Sequence, residues 1–241
     1  MNHKIIQMFC FSHAGGTASF YDTFVDLLGS EIDVHPFEYS GHGKRYKEAC
    51  YNNFSELANE AYDYILEKQS DLSEYVLFGY SMGCIAVIEV LQKILNSQQI
   101  KKPFYVFLAA HAPCTIRNTL KGNSANCDEF IIDRTIQFGG IPDALIDNRI
   151  FWRTYLPLYK SDYSLIDSYE FSQLLLKTNI PLSVFYSEED TPYEEVSEWN
   201  KFFLGKNNYY KFNGNHFFIN ENYSEIVRII KSNILAKDED V

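Results

Sequence analysis

The chain has 241 residues, of which 46% are hydrophobic and 22% carry a charge. This composition excludes a disordered, collagen-like or coiled-coil protein and is sufficient for a full hydrophobic core. The 21 lysines and arginines are outnumbered by 32 aspartates and glutamates, which gives a net charge of −11. Because phosphate binding needs a basic surface, the charge also excludes nucleic acid as the main partner.

The cysteine pattern and the hydropathy predict a cytoplasmic protein with reduced thiols. The five cysteines form no C-x-x-C pair, and so few in a chain of this length do not indicate a disulfide framework. The first residues lack the charged, apolar and cleavage segments of a secretory signal. No run of about 18 apolar residues is present, so we expect no membrane span.

Strand and helix patterns alternate through the first part of the chain. Unbroken apolar strands separated by helices indicate a mostly parallel central sheet with helices on both faces. The predicted strands are Ile5–Phe11, Ile32–Phe37, Tyr75–Phe78 and Phe104–Ala110. The predicted helices are Ala18–Leu28, Phe54–Leu66 and Met82–Leu95.

The alternation breaks at about residues 115–165, where Asn, Asp and Thr are frequent and apolar clusters are short. We interpret this stretch as a lid of small helices inserted into a single α/β domain that spans residues 1–241. The alternation then returns, with strands at Leu182–Tyr186 and Tyr209–Phe212 and helices at Tyr193–Phe203 and Tyr223–Leu235.

The strongest chemical signal is the pentapeptide Gly79-Tyr80-Ser81-Met82-Gly83, between a predicted strand and a predicted buried helix. G-x-S-x-G is a weak motif alone, but in this position it is typical of a tight turn that presents a nucleophilic serine. The two glycines leave room for the turn, and the helix N-terminus stabilises negative charge beside the hydroxyl. Ser81 is therefore the predicted nucleophile.

A serine hydroxyl needs a base to remove its proton, and in a sheet of this type the base follows the last strand. His216 meets this requirement, because it stands in Asn213-Gly214-Asn215-His216-Phe217-Phe218, directly after the strand Tyr209–Phe212. The other histidines precede the serine, follow a middle strand or lack a motif; they are His3, His13, His35, His42 and His111.

The carboxylate that orients the base should follow the penultimate strand, Leu182–Tyr186. Glu188, Glu189 and Asp190 all lie there. We favour Asp190 because it is the last of the three before the Thr191-Pro192 turn, and we keep Glu189 as the reserve candidate.

A tetrahedral intermediate needs two N–H donors already aimed at its oxygen. Met82, the residue after the nucleophile, should supply one. The loop His13-Ala14-Gly15-Gly16 after the first strand should supply the other, with Ala14 as the favoured donor. Its glycines allow the backbone to approach a substrate closely.

The sequence predicts neither a metal site nor a cofactor site. The scattered His, Cys, Asp and Glu residues have no metal-ligand spacing. G-x-G-x-x-G and Walker loops are also missing from the sequence, so no nucleotide cofactor is expected.

Several segments occur in the order and at the intervals of a known family. The chain resembles the type II thioesterases of nonribosomal peptide and polyketide synthesis, a group that includes medium-chain acyl carrier protein hydrolases. The segments are Phe11-Ser12-His13-Ala14-Gly15-Gly16, Gly41-His42-Gly43-Lys44-Arg45, Phe78-Gly79-Tyr80-Ser81-Met82-Gly83 and Gly214-Asn215-His216-Phe217-Phe218. The lid is also similar, at Phe138-Gly139-Gly140-Ile141-Pro142 and from Leu156-Pro157 to Ser161-Asp162-Tyr163.

The resemblance implies an α/β-hydrolase fold that hydrolyses acyl thioesters on the phosphopantetheine arm of carrier proteins. The implied role is editing, in which misprimed or stalled acyl groups are cleared so that an assembly line restarts. The family pattern places the nucleophile at Ser81, the acid at Asp190, the base at His216 and the oxyanion donors at Met82 and Ala14. Two positions depart from it: Tyr80 stands where His is common, and Ser187 replaces the Gly of a G-x-x-D that leads to the acid.

The implied partner is an acyl or peptidyl carrier protein domain, bound transiently by a monomer. Carrier proteins are usually acidic, as this chain is, so net charge does not favour the encounter. We expect docking through the lid with help from local Lys or Arg side chains, and salt should then weaken it.

Two other functions fit the same residues. An oxygen-ester esterase or an acyltransferase would use the same three side chains, and a comparison of carrier-bound thioesters with nitrophenyl esters separates these substrates. A non-catalytic ligand-binding module would keep the fold and use the lid groove; labelling of Ser81 by a fluorophosphonate would contradict it.

Overall fold

The structure, a computed structural model, describes residues 5–29, 31–69, 73–113 and 127–235. Its described strands are β1 (Ile6–Phe11), β2 (Ile32–Pro36), β3 (Tyr75–Tyr80), β4 (Tyr105–Ala109), β5 (Leu182–Ser187) and β6 (Asn207–Phe212). They form one six-stranded sheet in the order β2-β1-β3-β4-β5-β6. All five pairings are parallel, so the predicted parallel sheet is confirmed.

The described α-helices alternate with the strands, except that three of them lie between β4 and β5. They are α1 (Asp22–Leu28), α2 (Phe54–Lys68), α3 (Met82–Leu95), α4 (Asp128–Phe138), α5 (Asp143–Ile146), α6 (Arg149–Ser168), α7 (Tyr193–Val196) and α8 (Ile219–Ile234). Two predicted helices are less regular than expected, because each includes a 3₁₀ segment, at Ala18–Tyr21 before α1 and at Ser197–Lys201 after α7. None of the described helices is both long and apolar enough to span a bilayer.

The sheet is covered on both faces, as the unbroken apolar strands predict. Side chains alternate along β1: Met8 and Cys10 pack with α1 and α8 on one face, and Phe9 and Phe11 pack with α2 and α3 on the other. Because the four central strands, β1, β3, β4 and β5, are buried on both faces, the ends of the strands are the part of the sheet left for binding groups.

The described part of the predicted lid consists of α4, α5 and α6, between β4 and β5. Its first residues, 115–126, lie outside the described residues. The prediction of small helices is wrong for α6, which has 20 residues and contains Pro157. Asn148 caps the helix by accepting from the N–H groups of Ile150 and Phe151, and a buried face that continues on both sides of Pro157 holds the two halves together; its apolar members are Trp152, Leu156, Tyr159, Tyr163 and Leu165.

The cysteines that the structure describes carry free thiols, at Cys10, Cys50, Cys84 and Cys127. Cys10 and Cys84 are buried, in agreement with their place in apolar strands and helices. Cys114 lies outside the described residues.

Candidate active site

Ser81 is the single residue between β3 and α3. Its φ of 54° and ψ of −117° fall in a region where the backbone of any residue other than glycine is strained. The Ser81 N–H donates to the Ala109 carbonyl at 2.8 Å, and the Ser81 carbonyl accepts from the Cys84 N–H at 2.9 Å. Strain of this kind persists only where the surroundings determine the backbone, and here β4 and the first turn of α3 do so.

The two glycines of the motif are needed for close packing. A Cβ on Gly79 would collide with the backbone of Gly83 and Cys84, and a Cβ on Gly83 would collide with the carbonyl of Phe11 at the end of β1. The turn therefore lies directly against the neighbouring strand, with the Ser81 hydroxyl at the carboxyl edge of the sheet.

Ser81, His216 and Asp190 form one chain of hydrogen bonds. The Ser81 Oγ lies 2.9 Å from His216 Nε2, and His216 Nδ1 lies 2.9 Å from Asp190 Oδ2. The side chains of His216 and Asp190 are only 8% and 6% exposed. A proton on Nδ1 that is donated to the carboxylate leaves Nε2 as the acceptor for the serine proton.

The structure distinguishes the three acidic residues that follow β5. Asp190 bonds to His216. Glu188 instead lies 3.9 Å from the Lys211 Nζ. The Glu189 N–H donates to the Ser187 hydroxyl. Asp190 is thus the one of the three that the described contacts join to the imidazole.

Both departures from the family pattern contact the loop that carries His216. The buried Tyr80 hydroxyl donates to the His216 carbonyl at 2.6 Å, and the Ser187 hydroxyl donates to the Gly214 carbonyl. The sequence analysis did not predict these roles. The position of Tyr80 directly before Ser81 is the one signal in the sequence that places it near the site. Each departure supplies a hydrogen bond that fixes the loop.

The lid also packs on the His216 loop. The Phe138 ring at the end of α4 lies 4.5 Å from the His216 ring, centroid to centroid. The next two residues, Gly139 and Gly140, approach Asn215 and Phe217 so closely that a Cβ on either would collide with them. The lid therefore shields one side of the imidazole from water.

The two predicted oxyanion donors follow neighbouring strands. Phe11 of β1 pairs with Gly79 of β3, so the segments that contain Ala14 and Met82 leave the sheet side by side. Met82 is the first residue of α3, and its N–H has no carbonyl partner within the helix. Ala14 is in a four-residue turn closed by the Gly16 N–H on the His13 carbonyl at 2.9 Å.

Ala14, Ser81 and His216 line one cavity of about 150 Å³ under the lid. Its wall is mainly aromatic and aliphatic, with one ion pair, in which Arg134 holds Asp167 through two bonds of 2.8 and 3.0 Å. The other residues of the wall that come from the lid are Thr135, Phe138, Gly140, Ile141, Tyr159, Tyr163 and Ile166.

His13 lines the same cavity but is neutral near pH 7. Burial, with smaller contributions from the nearby His216 and His42, lowers the pKa of His13 to about 4, although its hydrogen bond to Ala14 opposes the change. Its Nδ1 lies 2.9 Å from the Ala14 carbonyl, and because a carbonyl only accepts, Nδ1 carries the proton. The ring thus supports the turn without adding charge to the cavity.

The other described histidines that were not chosen as the base have different contacts. His35 of β2 bonds to Asp33 and Gln7, His42 bonds to Asp162 of α6, and His111 lines the cavity. His3 lies outside the described residues. Across the described ranges, no group of three or more His, Cys, Asp or Glu side chains is arranged to hold a metal ion.

Comparison with known proteins matches residues 6–234 to the thioesterase domain family. The medium-chain S-acyl fatty acid synthase thioesterase of Rattus norvegicus is 27% identical over 229 residues, which cover 91% of this chain and 85% of that protein. Thioesterase PikA5 of Streptomyces venezuelae is 24% identical over 237 residues, which cover 97% and 83%.

Solved structures share the fold over nearly the whole chain. ClbQ from the colibactin NRPS/PKS pathway superposes with a TM-score of 0.84 at 23% identity and covers 97% of this chain and 98% of its own. YbtT, a type II thioesterase from the yersiniabactin pathway, has a TM-score of 0.84 at 17% identity and covers 98% and 95%. The match to the family model extends over most of the chain, and the chain therefore belongs to the thioesterase family.

Proposed function

We propose that this thioesterase hydrolyses acyl groups from the phosphopantetheine arm of carrier proteins and so edits nonribosomal peptide or polyketide assembly lines. The observation that carries the proposal is the hydrogen-bonded chain Ser81–His216–Asp190 at the wall of the cavity under the lid. The relatives support the setting, since PikA5 is named a thioesterase and ClbQ and YbtT come from NRPS/PKS pathways.

The proposed chemistry is a two-step acyl transfer. The Ser81 oxygen attacks the thioester carbonyl while His216 Nε2 takes the hydroxyl proton, and the N–H groups of Met82 and Ala14 stabilise the oxyanion. The carbon–sulfur bond breaks, and His216 returns the proton to the leaving thiol. Water then attacks the acyl-serine, with His216 again as base, and releases the carboxylic acid.

Asp190 orients the imidazole and stabilises its charged form during both steps. No step in this scheme draws on a cofactor, because the phosphopantetheine belongs to the substrate. The chain acts as one domain, and α4–α6 serve as the described part of its lid.

The enclosed part of the acyl group is short in this proposal. A cavity of about 150 Å³ accommodates a molecule about the size of benzene. A profile of hydrolysis rate against acyl chain length should therefore peak at chains that the cavity can enclose and fall for longer ones.

The proposal is tested by hydrolysis of an acylated carrier protein by the unaltered chain and by Ser81→Ala. We expect the substitution to abolish turnover, because no other hydroxyl is bonded to His216 in the described structure. A nitrophenyl ester of the same acyl group serves as the comparison substrate. Retained turnover by Ser81→Ala would refute the mechanism, and a preference for the oxygen ester would favour an esterase.

A further inference from the structure

A buried charged contact joins the lid to the turn that carries Ala14. The Gly15 N–H donates to Asp162 Oδ2 at 2.6 Å, and the same oxygen lies 2.9 Å from His42 Nε2. Asp162 is on α6, Gly15 follows β1 and His42 follows β2. The side chains of His42 and Asp162 are 1% and 2% exposed, so three separate segments meet at one dehydrated carboxylate.

Both ends of the Ala14–Gly15 peptide are held. His13 Nδ1 donates to its carbonyl oxygen at 2.9 Å, and Asp162 accepts from its N–H. The turn is closed by the hydrogen bond from the Gly16 N–H to the His13 carbonyl. Gly15 has a φ of 71°, as the third position of a type II turn requires. Of these bonds, the one to Asp162 is the one that ties the turn to another element.

Helix α6 covers the turn at a second point. The Tyr159 ring lies over Gly15, where an added Cβ would collide with it. Tyr159 and Asp162 are three residues apart and share one face of the helix. Tyr159 therefore limits the position of the turn by contact, and Asp162 holds it by a hydrogen bond.

His42 faces an oxygen atom at each of its two ring nitrogens. Its Nδ1 lies 3.0 Å from the Ser40 carbonyl, which can only accept, so a proton on Nε2 as well makes the ring an imidazolium that faces Asp162. Burial by itself lowers the pKa of His42, but the hydrogen bond and charge of Asp162 outweigh it and raise that pKa above its ordinary value. Glu38 raises it further, the neutral His13 lies nearby, and the Tyr39 ring packs at 5.4 Å.

We propose that Asp162, held by His42, is a positioning residue that locks the His13–Gly16 turn to α6 and so sets the direction of the Ala14 N–H toward the oxyanion. This rests on the proposed function, in which Ala14 is an oxyanion donor. The Gly15 N–H is occupied by Asp162 and takes no part in binding the oxyanion. A lid helix thereby becomes part of what prepares the site for the transition state.

Asp162→Asn tests the contact because its side chain has nearly the same shape but carries no negative charge. An amide oxygen at the Oδ2 position leaves the His42 charge without a counterion, and an amide nitrogen there opposes the Gly15 N–H. The matched control is Asp128→Asn, which breaks the exposed ion pair between Asp128 and Lys160 on the same lid and does not touch the turn.

The kinetic experiment measures hydrolysis of an acyl carrier thioester and inhibition by a trifluoromethyl ketone that carries the same acyl chain. Such a ketone forms a tetrahedral adduct with the serine, and the oxyanion of the adduct lies where the oxyanion of the intermediate would lie. We expect Asp162→Asn to lower kcat at least tenfold while KM changes by no more than about twofold. The affinity for the ketone should fall by a factor similar to that for kcat. Asp128→Asn should match the unaltered enzyme. Unchanged kcat and ketone affinity in Asp162→Asn, or an equal loss in both variants, would overturn the proposal.

Amide and imidazole NMR gives a readout that does not depend on turnover. In Asp162→Asn the Gly15 amide proton should move upfield and the pKa of His42 should fall, while neither changes in Asp128→Asn. Signals that stay in place in Asp162→Asn would show that the contact does not hold the turn and would overturn the proposal. An unaltered enzyme that hydrolyses no thioester would instead refute the proposed function, with the contact still decided by these two signals.

Discussion

At the scale of single residues, the site depends on which nitrogen of an imidazole carries a proton. His216 faces a carboxylate at Nδ1 and a hydroxyl at Nε2, and this order of partners selects the tautomer that can accept from serine. His13 and His42 stand close by with pKa values shifted in opposite directions. The surroundings of each histidine therefore decide how readily it takes up a proton.

Replacement of Asp190 by Asn should lower kcat by roughly 10³- to 10⁴-fold with little loss of stability. The amide would favour the wrong tautomer of His216 without changing the shape of the site. The measurement is steady-state hydrolysis of the carrier thioester, with Glu189→Gln as the control that should keep normal rates. A large loss in Glu189→Gln with a normal Asp190→Asn enzyme would transfer the role to the reserve candidate.

His13 should make the protein less stable as the pH falls from about 6.5 to about 4. The pKa of His13 is about 4 in the folded chain and about 6.5 in an unfolded one. Within that range the unfolded state binds more protons, so the free energy of unfolding decreases as the pH decreases. Urea unfolding at pH 6.5 and pH 4.5 should show a loss about 1–2 kcal/mol larger for the unaltered chain than for His13→Asn; identical losses would contradict this.

At the scale of elements, the candidate catalytic groups are positioned by strand ends and by close backbone contacts. β1 and β3 are neighbours in the sheet, which brings the Ala14 turn beside the Ser81 turn. The lid contacts both catalytic loops, through Phe138 at His216 and through Asp162 at Gly15. Because the lid contacts both loops, a change in the position of the lid also changes the geometry of the site.

Gly83→Ala should destabilise the fold by about 3 kcal/mol or more, because its Cβ would meet the Phe11 carbonyl and neither backbone can move without disturbing the sheet. The control is Gly29→Ala, where a Cβ has nothing within 4 Å but φ is 64° and ψ is −145°, so that only the conformational cost of about 1–3 kcal/mol remains. Urea unfolding of both variants checks this. Equal losses would contradict the packing argument.

The elements differ in how well the sequence predicts them, and the reasons are physical. The bounds predicted for α3, Met82–Leu95, agree with the structure, because the motif fixes its start and its apolar residues continue to its end. α6 was not predicted at its full length because Pro157 normally ends a helix, whereas tertiary packing of the buried face overrides this preference.

The site differs in the same way. The hydrogen-bonded chain of Ser81 and His216 follows from a motif and from strand order, which are local signals. The contact between His42 and Asp162 joins residues 120 apart in sequence, and no spacing rule relates them. Tyr80 and Ser187 are visible in sequence only as departures, and their bonds to the His216 loop need coordinates.

At the scale of the whole molecule, the parallel sheet supports the site and the lid encloses it. Both faces of the sheet are buried under helices, so the carboxyl edge is where Ser81, Asp190, His216 and Ala14 come together. The net charge of −11 does not assist an encounter with an acidic carrier protein. Recognition in the proposed function therefore depends on local contacts at the lid rather than on the overall field.

The most direct test of the central claim is to find which residue becomes covalently modified. A fluorophosphonate should label the unaltered chain once, peptide mass spectrometry should place the label on Ser81, and Ser81→Ala should remain unlabelled. A label on another residue, or no label on a folded chain that binds acyl thioesters, would contradict the claim that Ser81 is the nucleophile.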